Sequence, residues 1–326
     1  MIKIEPKRRQ QSLVEEIESK KRLPIRWDIG RKEKRDSDDH NFMHLKSLMA
    51  RNERLGRITY ILSLPADLWI WEMKLAAYFP NNIIVFVGVE RDKDVHARSE
   101  IRRRQLDTGH GTNYKLILLE YGKTMKKALQ GRFHCDHMIL NGRGKQFDII
   151  YADYMGCLAI PKMREVEILF RNQSILADGG IFMITLSLNL RNTQSELYQK
   201  SLRLGYPVME SEAYQIIDCN QAWRDMKGDS SPRVHAHMHG IRKLMLEAAR
   251  NNGVQLTELP GVIYYSPNKY DTPTRPEACF VFKKNQPNQS RMINEVKQKT
   301  KAAAAAESGP QGAVVEGLLF EGEQIR

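Results

Sequence analysis

Four polar clusters, each directly after an apolar run, are where this sequence can do chemistry. They are Ser63-Leu64-Pro65-Ala66-Asp67, Val89-Glu90-Arg91-Asp92, Glu120-Tyr121-Gly122 and Asp153-Tyr154-Met155-Gly156. Ligands of open α/β sheets sit outside the carboxyl ends of the strands, where the strand order reverses. Polar groups at four successive strand ends are therefore candidates for one site, although each also suits a helix cap or a turn. Glu90 is the sharpest of them. A carboxylate just past an apolar strand can accept hydrogen bonds from both hydroxyls of a ribose, or can pair with a neighbour such as Arg91 or Lys93.

The elements that must position these clusters alternate. Ile58 to Leu64, Asn82 to Val89, Tyr114 to Leu119, Phe147 to Ala152 and Gly180 to Leu186 read as strands. Helical stretches at Trp69 to Tyr78, His96 to Gln105, Lys123 to Leu129 and Met163 to Ser174 separate them. Such alternation predicts a doubly wound, mostly parallel sheet with helices on both faces. A helix over Gly240 to Asn251 follows, with Asn252-Gly253 as its stop. Gly261 to Ser266 and Ala278 to Lys283 then read as strands joined by a turn-rich loop, so they should pair antiparallel. About seven strands are expected in all, ending in a β-hairpin.

A five-unit doubly wound sheet closed by a hairpin resembles the class I S-adenosylmethionine-dependent methyltransferases, from about Arg57 to Lys284. The likeness is strongest over FDIIYADYMG and LADGGIFMITLS, where Asp178-Gly179-Gly180 looks like the turn that introduces the family's fifth strand. The resemblance implies S-adenosylmethionine as cofactor. It puts the cofactor ribose on Glu90 beside Arg91, and the adenine at Glu120 and Tyr121. The amino-acid end falls on the loop Leu64, Pro65, Ala66 and Asp67. Asp153 would orient the acceptor or take its proton, and Tyr154 would stack on it. The sequence departs from the family at this first loop. A glycine-rich G-x-G turn is replaced by Leu64-Pro65-Ala66-Asp67-Leu68-Trp69-Ile70-Trp71-Glu72, which has no glycine. Two tryptophans at i, i+2 cannot share one helix face, so one of them is expected at a pocket or a partner surface.

Other motifs carry less. His235-Ala236-His237-Met238-His239 runs into a helical pattern after Pro232, so His235 and His239 would align on an exposed face, and no metal is assigned. Gly109-His110-Gly111 and Gly142-Arg143-Gly144-Lys145 lack the strand–loop–helix context of a phosphate-binding loop. Arg98, Arg102, Arg103 and Arg104 form a basic cluster, either solvated or set against phosphate. The segment 189–230 is longer than the fold requires and reads as an insertion, with Tyr214, Trp223 and Arg224 as lid residues.

The chain has 326 residues, 41% hydrophobic and 28% charged, with a formal net charge of +12. Residues 1–45 are dominated by charge and read as a basic extension with one short helix around Ser12 to Arg22. The core is expected over 46–285. Residues 286–326, with KQKTKAAAAAESGPQG, read as a flexible low-complexity tail. No run reaches the roughly 18 apolar residues of a membrane span, and the charged start lacks the apolar segment of a secretory signal. Cys135, Cys157, Cys219 and Cys279 are widely spaced, as expected of reduced thiols in a cytoplasmic compartment. A basic excess of this size makes nucleic acid, DNA or RNA, the first partner to consider, reached through the basic surface and the N-terminal arm, with protein partners as a further class. The absence of G-x-G-x-x-G after the first strand argues against a nicotinamide-dependent oxidoreductase. Two readings stand: a methyltransferase acting on nucleic acid, or a non-catalytic relative serving as a nucleic-acid-binding or accessory component.

Overall fold

The computed structural model describes residues 32–286 apart from 66–67, 108–112, 155–156, 189–194, 212–216, 219–230 and 268–272. The short helix expected near Ser12 and the tail from 287 lie outside the described residues. The chain opens on helix α1 (Lys32–Arg54), then alternates through β1 (Thr59–Ser63), α2 (Ile70–Tyr78), β2 (Ile84–Gly88), α3 (Lys93–Asp107) and β3 (Tyr114–Leu118). It continues with α4 (Met125–Leu129), α5 (Asp136–Leu140), β4 (Phe147–Asp153), α6 (Ile160–Arg171) and β5 (Leu176–Ser187). The last elements are α7 (Glu196–Ser211), β6 (Ile217–Asp218), α8 (Ser231–Asn251), β7 (Leu256–Pro267) and β8 (Pro273–Lys284).

These strands form an eight-stranded sheet in the order β3-β2-β1-β4-β5-β8-β7-β6. β1 to β5 run parallel, and β8 enters antiparallel between β5 and β7. The expected hairpin is present, and its second strand is the inner one. The doubly wound sheet follows from the apolar runs. Each central strand is buried along its whole length, so successive side chains supply two cores. Tyr60, Leu62, Val85 and Val87 face one core with residues of α4, α5, α6 and α8. Ile61, Ile84, Phe86 and Leu116 face the other with residues of α1, α2 and α3. The Asp178-Gly179-Gly180 turn lies within β5, where Phe147 pairs with Leu176 and Ile149 with Ile181, so the extra residues bulge out.

Three features depart from the sequence reading. The expected boundary at residue 45 falls inside α1, whose Phe42, Leu45, Leu48 and Met49 are buried against the sheet. That stripe was concealed because its buried face also carries Asp38, Asn41 and Asn52, the last donating to Thr59 Oγ1 at 3.0 Å. The segment 189–230 contains a helix, α7, that its reading as an insertion did not include, and α7 packs on α8; the lid residues Tyr214, Trp223 and Arg224 lie outside the described residues. The contact is a close backbone approach: a Cβ on Gly240 would lie 1.7 Å from Ser201 O, and one on Gly205 equally close to Ala236 O. Gly240→Ala would have to push the helices apart. Alanine's better helix propensity, about 1 kcal/mol, offsets part of that cost. The obstacle is the backbone of a packed helix, so the overpacking term should reach about 3 kcal/mol, the top of its usual range, and we expect a net loss of about 2 kcal/mol in urea denaturation. The third departure is a short element, α5, between the third and fourth units.

Candidate active site at the switch point of the sheet

The strand order reverses between β1 and β4, so the site predicted by topology lies over the carboxyl ends of β3, β2, β1 and β4. Register brings those ends level: Gly88 pairs with Leu118 and Ser63, and Ser63 with Tyr151. The loop leaving β1 passes Leu64 and the buried Pro65; Ala66 and Asp67 lie outside the described residues. It reaches α2 through Trp69, which sits in the left-handed region at φ 56°. A bulky side chain there stores roughly 1–2 kcal/mol of strain, and such strain concentrates at functional sites. What holds Trp69 is its indole, fully buried, with Nε1 donating to Ser99 O of α3 at 3.1 Å.

The glycine missing from the loop is found on the neighbouring strand. A Cβ on Gly88 would lie 2.5 Å from Cη2 of Trp69 and 2.8 Å from Cγ of Pro65. The first loop thus closes over the end of β2 through a glycine of β2, not through one of its own. Both tryptophans are buried, against the expectation that one would be left for a pocket or partner. Trp69 precedes the first turn of α2, so the two side chains are not bound by helical spacing. Trp71 stacks on Tyr151 of β4 at 4.2 Å.

Glu90 stands two residues beyond Gly88. Its Oε1 accepts from the Asp92 N–H at 2.8 Å, and Asp92 in turn caps α3 by accepting from Asp94 N and Val95 N, each at 3.0 Å. Among the described residues no ion pair joins Glu90 to Arg91 or Lys93, and Arg91 is exposed. At the end of β3, Glu120 and Tyr121 are exposed, with the Tyr121 ring meeting His96 edge-on at 5.8 Å. His96 is itself fixed by its Nε2 on Leu119 O at 2.9 Å. Asp153 ends β4 half-buried, opposite Thr185 of β5. Tyr154 is differently placed from a free stacking ring: its hydroxyl donates to Glu165, and the Lys162 ammonium lies 5.4 Å from its ring centroid. Burial first, and then the Glu165 carboxylate, push its phenol well above the usual range.

One residue of this edge was not singled out by sequence. Glu72, in the first turn of α2, is 1% exposed, and its Oε2 has no hydrogen-bond partner among the described residues. Burial raises its carboxyl to about 7; the Ser63 hydroxyl opposes that, and the charges of Asp153 and Asp38 reinforce it. The local pattern IWEMKLAAY carries Glu72 and Lys74 alike, and only the packing of α2 shows that the acid is the one fully enclosed.

The weaker motifs resolve into structure. His237 and His239 are buried in α8, not exposed. Nδ1 of His237 meets Ser201 Oγ at 2.5 Å, and burial lowers its pKa to about 4. Arg143 pairs with Asp148, and Lys145 donates to Gly131 O, which ties the Gly142–Gly144 loop to the fold. In the arginine cluster, Arg103 is held by Glu100 and Asp107 and Arg104 by Glu100, so those two charges are compensated. Tyr214, Trp223, Arg224, Cys219, Gly109-His110-Gly111, Met155 and Gly156 lie outside the described residues.

The parallel strands on either side of the β1/β4 reversal, with an antiparallel β8 inserted beside β5, make a doubly wound, Rossmann-like α/β sheet. Neither a protein-family model nor a curated protein matches the sequence. Solved structures similar to the chain include the methyltransferase PaMTH1 of Podospora anserina bound to S-adenosylhomocysteine, at 10% identity. That match covers 87% of this chain and 89% of the other, with a TM-score of 0.40. Another is the N-methyltransferase NodS of Bradyrhizobium japonicum with S-adenosylhomocysteine, at 12% identity, 85% and 99% coverage and a TM-score of 0.38. A third is an S-adenosylmethionine-dependent methyltransferase from Methanosarcina mazei, at 12% identity, 70% and 92% coverage and a TM-score of 0.36. Among the described residues no helix is long and apolar enough to cross a membrane.

Proposed function

We propose that this chain is an S-adenosylmethionine-dependent methyltransferase that acts on nucleic acid. The observation that carries the reading is Glu90. It is a carboxylate at the end of the strand next to the switch point, oriented by one backbone N–H and not neutralised by a neighbouring cation among the described residues. That is the disposition a ribose diol requires. With the ribose there, the exposed Tyr121 one strand away offers a face to the base. Asp153, across the reversal at the end of β4, would accept a hydrogen bond from the acceptor and orient it for attack on the methyl group. Alignment of acceptor, methyl and sulfur supplies most of the rate in such a transfer, and a carboxylate in reach of the acceptor proton can take it. The nucleic-acid part rests on charge. The segment from 287 is charge-balanced and most of the +12 falls within 32–286. Arg91, Lys93 and Lys126 are exposed at the same edge of the sheet.

Titration calorimetry with S-adenosylmethionine tests the cofactor. Micromolar binding is expected, weakened about a hundredfold in Glu90→Ala, since two hydrogen bonds to a charged group contribute about 1.5–3 kcal/mol each before compensation. Methyl transfer from labelled cofactor to duplex DNA, single-stranded RNA and protein then tests the acceptor. Transfer to a nucleic acid should fall with added salt. The second reading, a non-catalytic relative that binds nucleic acid, is favoured by the loop packed shut with Pro65 and Trp69 over Gly88. A folded wild-type protein that binds no cofactor but retains salt-dependent nucleic-acid binding would establish it.

A further inference from the structure

We propose that Glu72 is the anchor for the ammonium group at the amino-acid end of the cofactor, in place of the glycine-rich loop that this chain lacks. The inference rests on the cofactor reading above and assigns a residue that neither sequence pattern nor family resemblance had placed in the site. It starts from the order of the strands. Tyr121, Glu90 and the Ser63–Glu72 pair stand beyond β3, β2 and β1, which are adjacent in the sheet, at the usual strand spacing of about 4.8 Å. The cofactor has the same linear order: base, ribose, then a sulfur-bearing chain that ends in an ammonium and a carboxylate. With the base at β3 and the ribose at β2, the chain has to run towards β1 and the reversal point.

What waits at that point is a carboxyl group without a matching cation. Glu72 faces Ser63 of β1, and it feels Asp153 of β4 and Asp38 of α1, both acidic. The ammonium on its own helix, Lys74, is directed to Asp38 at 3.5 Å. Oε2 of Glu72 and Nε1 of the adjacent Trp71 have no hydrogen-bond partners among the described residues, and both side chains are more than nine-tenths buried. An acid so enclosed either keeps its proton or receives a cation from outside. A ligand ammonium satisfies Oε2, offsets the charge of Asp153 beside it and lets Glu72 ionise.

The test uses S-adenosylhomocysteine, which has the ammonium but no sulfonium charge, and its analogue lacking the amino group. Each is titrated into the full chain at pH 7 in two buffers of different ionisation enthalpy. If Glu72 is the anchor, S-adenosylhomocysteine binding releases about half a proton, the fraction held near pH 7 by a group titrating there, and the desamino analogue releases none. The analogue binds at least tenfold more weakly, and Glu72→Gln removes that difference along with the proton release. Equal affinities in wild type, or a release that persists with the desamino analogue, overturns the anchor while leaving the cofactor reading intact. Failure of the folded wild type to bind either ligand overturns the cofactor reading, and the anchor with it. The wild-type proton count stands even if Glu72→Gln does not fold.

Discussion

Gly88→Ala is expected to lower the stability of the chain by about 3 kcal/mol, the upper part of the overpacking range, and, if the proposed cofactor site is right, to weaken S-adenosylmethionine binding in the same step. The effect is purely one of space, because the added methyl would lie 2.5 Å from Trp69 and 2.8 Å from Pro65. Trp69 has nowhere to go: its indole is fully buried, its Nε1 is bonded to Ser99 O and its backbone is already at φ 56°. Relief has to come from lifting the β1–α2 loop, and that moves Pro65 away from Gly88, two residues before Glu90. A double-mutant cycle separates this clash from a general intolerance of β2. In a Trp69→Phe background the ring is shorter, so Gly88→Ala should cost at least 1 kcal/mol less, well above the usual additivity error of about 0.3–0.5 kcal/mol. Additive urea midpoints would show that Gly88 is required for some other reason.

Glu72 gives the second large effect, and its direction is fixed by linkage. Its folded pKa, about 7, is raised from an ordinary value of 4.5. The folded state therefore holds the proton more tightly, and its advantage is complete below pH 4.5 and lost as pH rises through 7. A shift of that size corresponds to about 3 kcal/mol between pH 5 and pH 8. Glu72→Gln keeps the shape and removes the titration. It should match wild type within about 1 kcal/mol at pH 5 and exceed it by about 3 kcal/mol at pH 8; titration of His237 and other groups is common to both proteins and cancels in the difference. A constant difference across this range would mean that Glu72 does not carry the proton. Saturating S-adenosylhomocysteine should close the gap at pH 8, since an ammonium partner favours the ionised acid that the empty site penalises.

Much of the sheet was legible because its strands are short, β-branched and apolar on both faces, a pattern that only a covered parallel sheet accommodates. The runs around Ile61, Phe86, Leu116 and Ile150 mark their own strands, and the polar residues directly after them mark the ligand edge. The long helix α1 was hidden for the opposite reason. Its buried face mixes Phe42, Leu45 and Met49 with Asp38, Asn41 and Asn52, so hydrophobic period alone does not reveal it. The histidine run was misjudged because burial of His237 depends on Ser201, a partner 36 positions away.

The sequence by itself determined the βα alternation, the terminal hairpin and the polar strand ends Glu90, Glu120 and Asp153, because each depends on residues near one another in the chain. Tertiary structure alone decided how a glycine-free loop is accommodated and where a buried acid comes to rest. The glycine that the first loop needs is Gly88, on another strand, and the space it leaves is filled by Trp69 from 19 positions upstream. Glu72 becomes a proton-holding group only when α1, β1 and β4 close around it and exclude water. Desolvation and close approach are properties of the assembled core, and no local pattern encodes them.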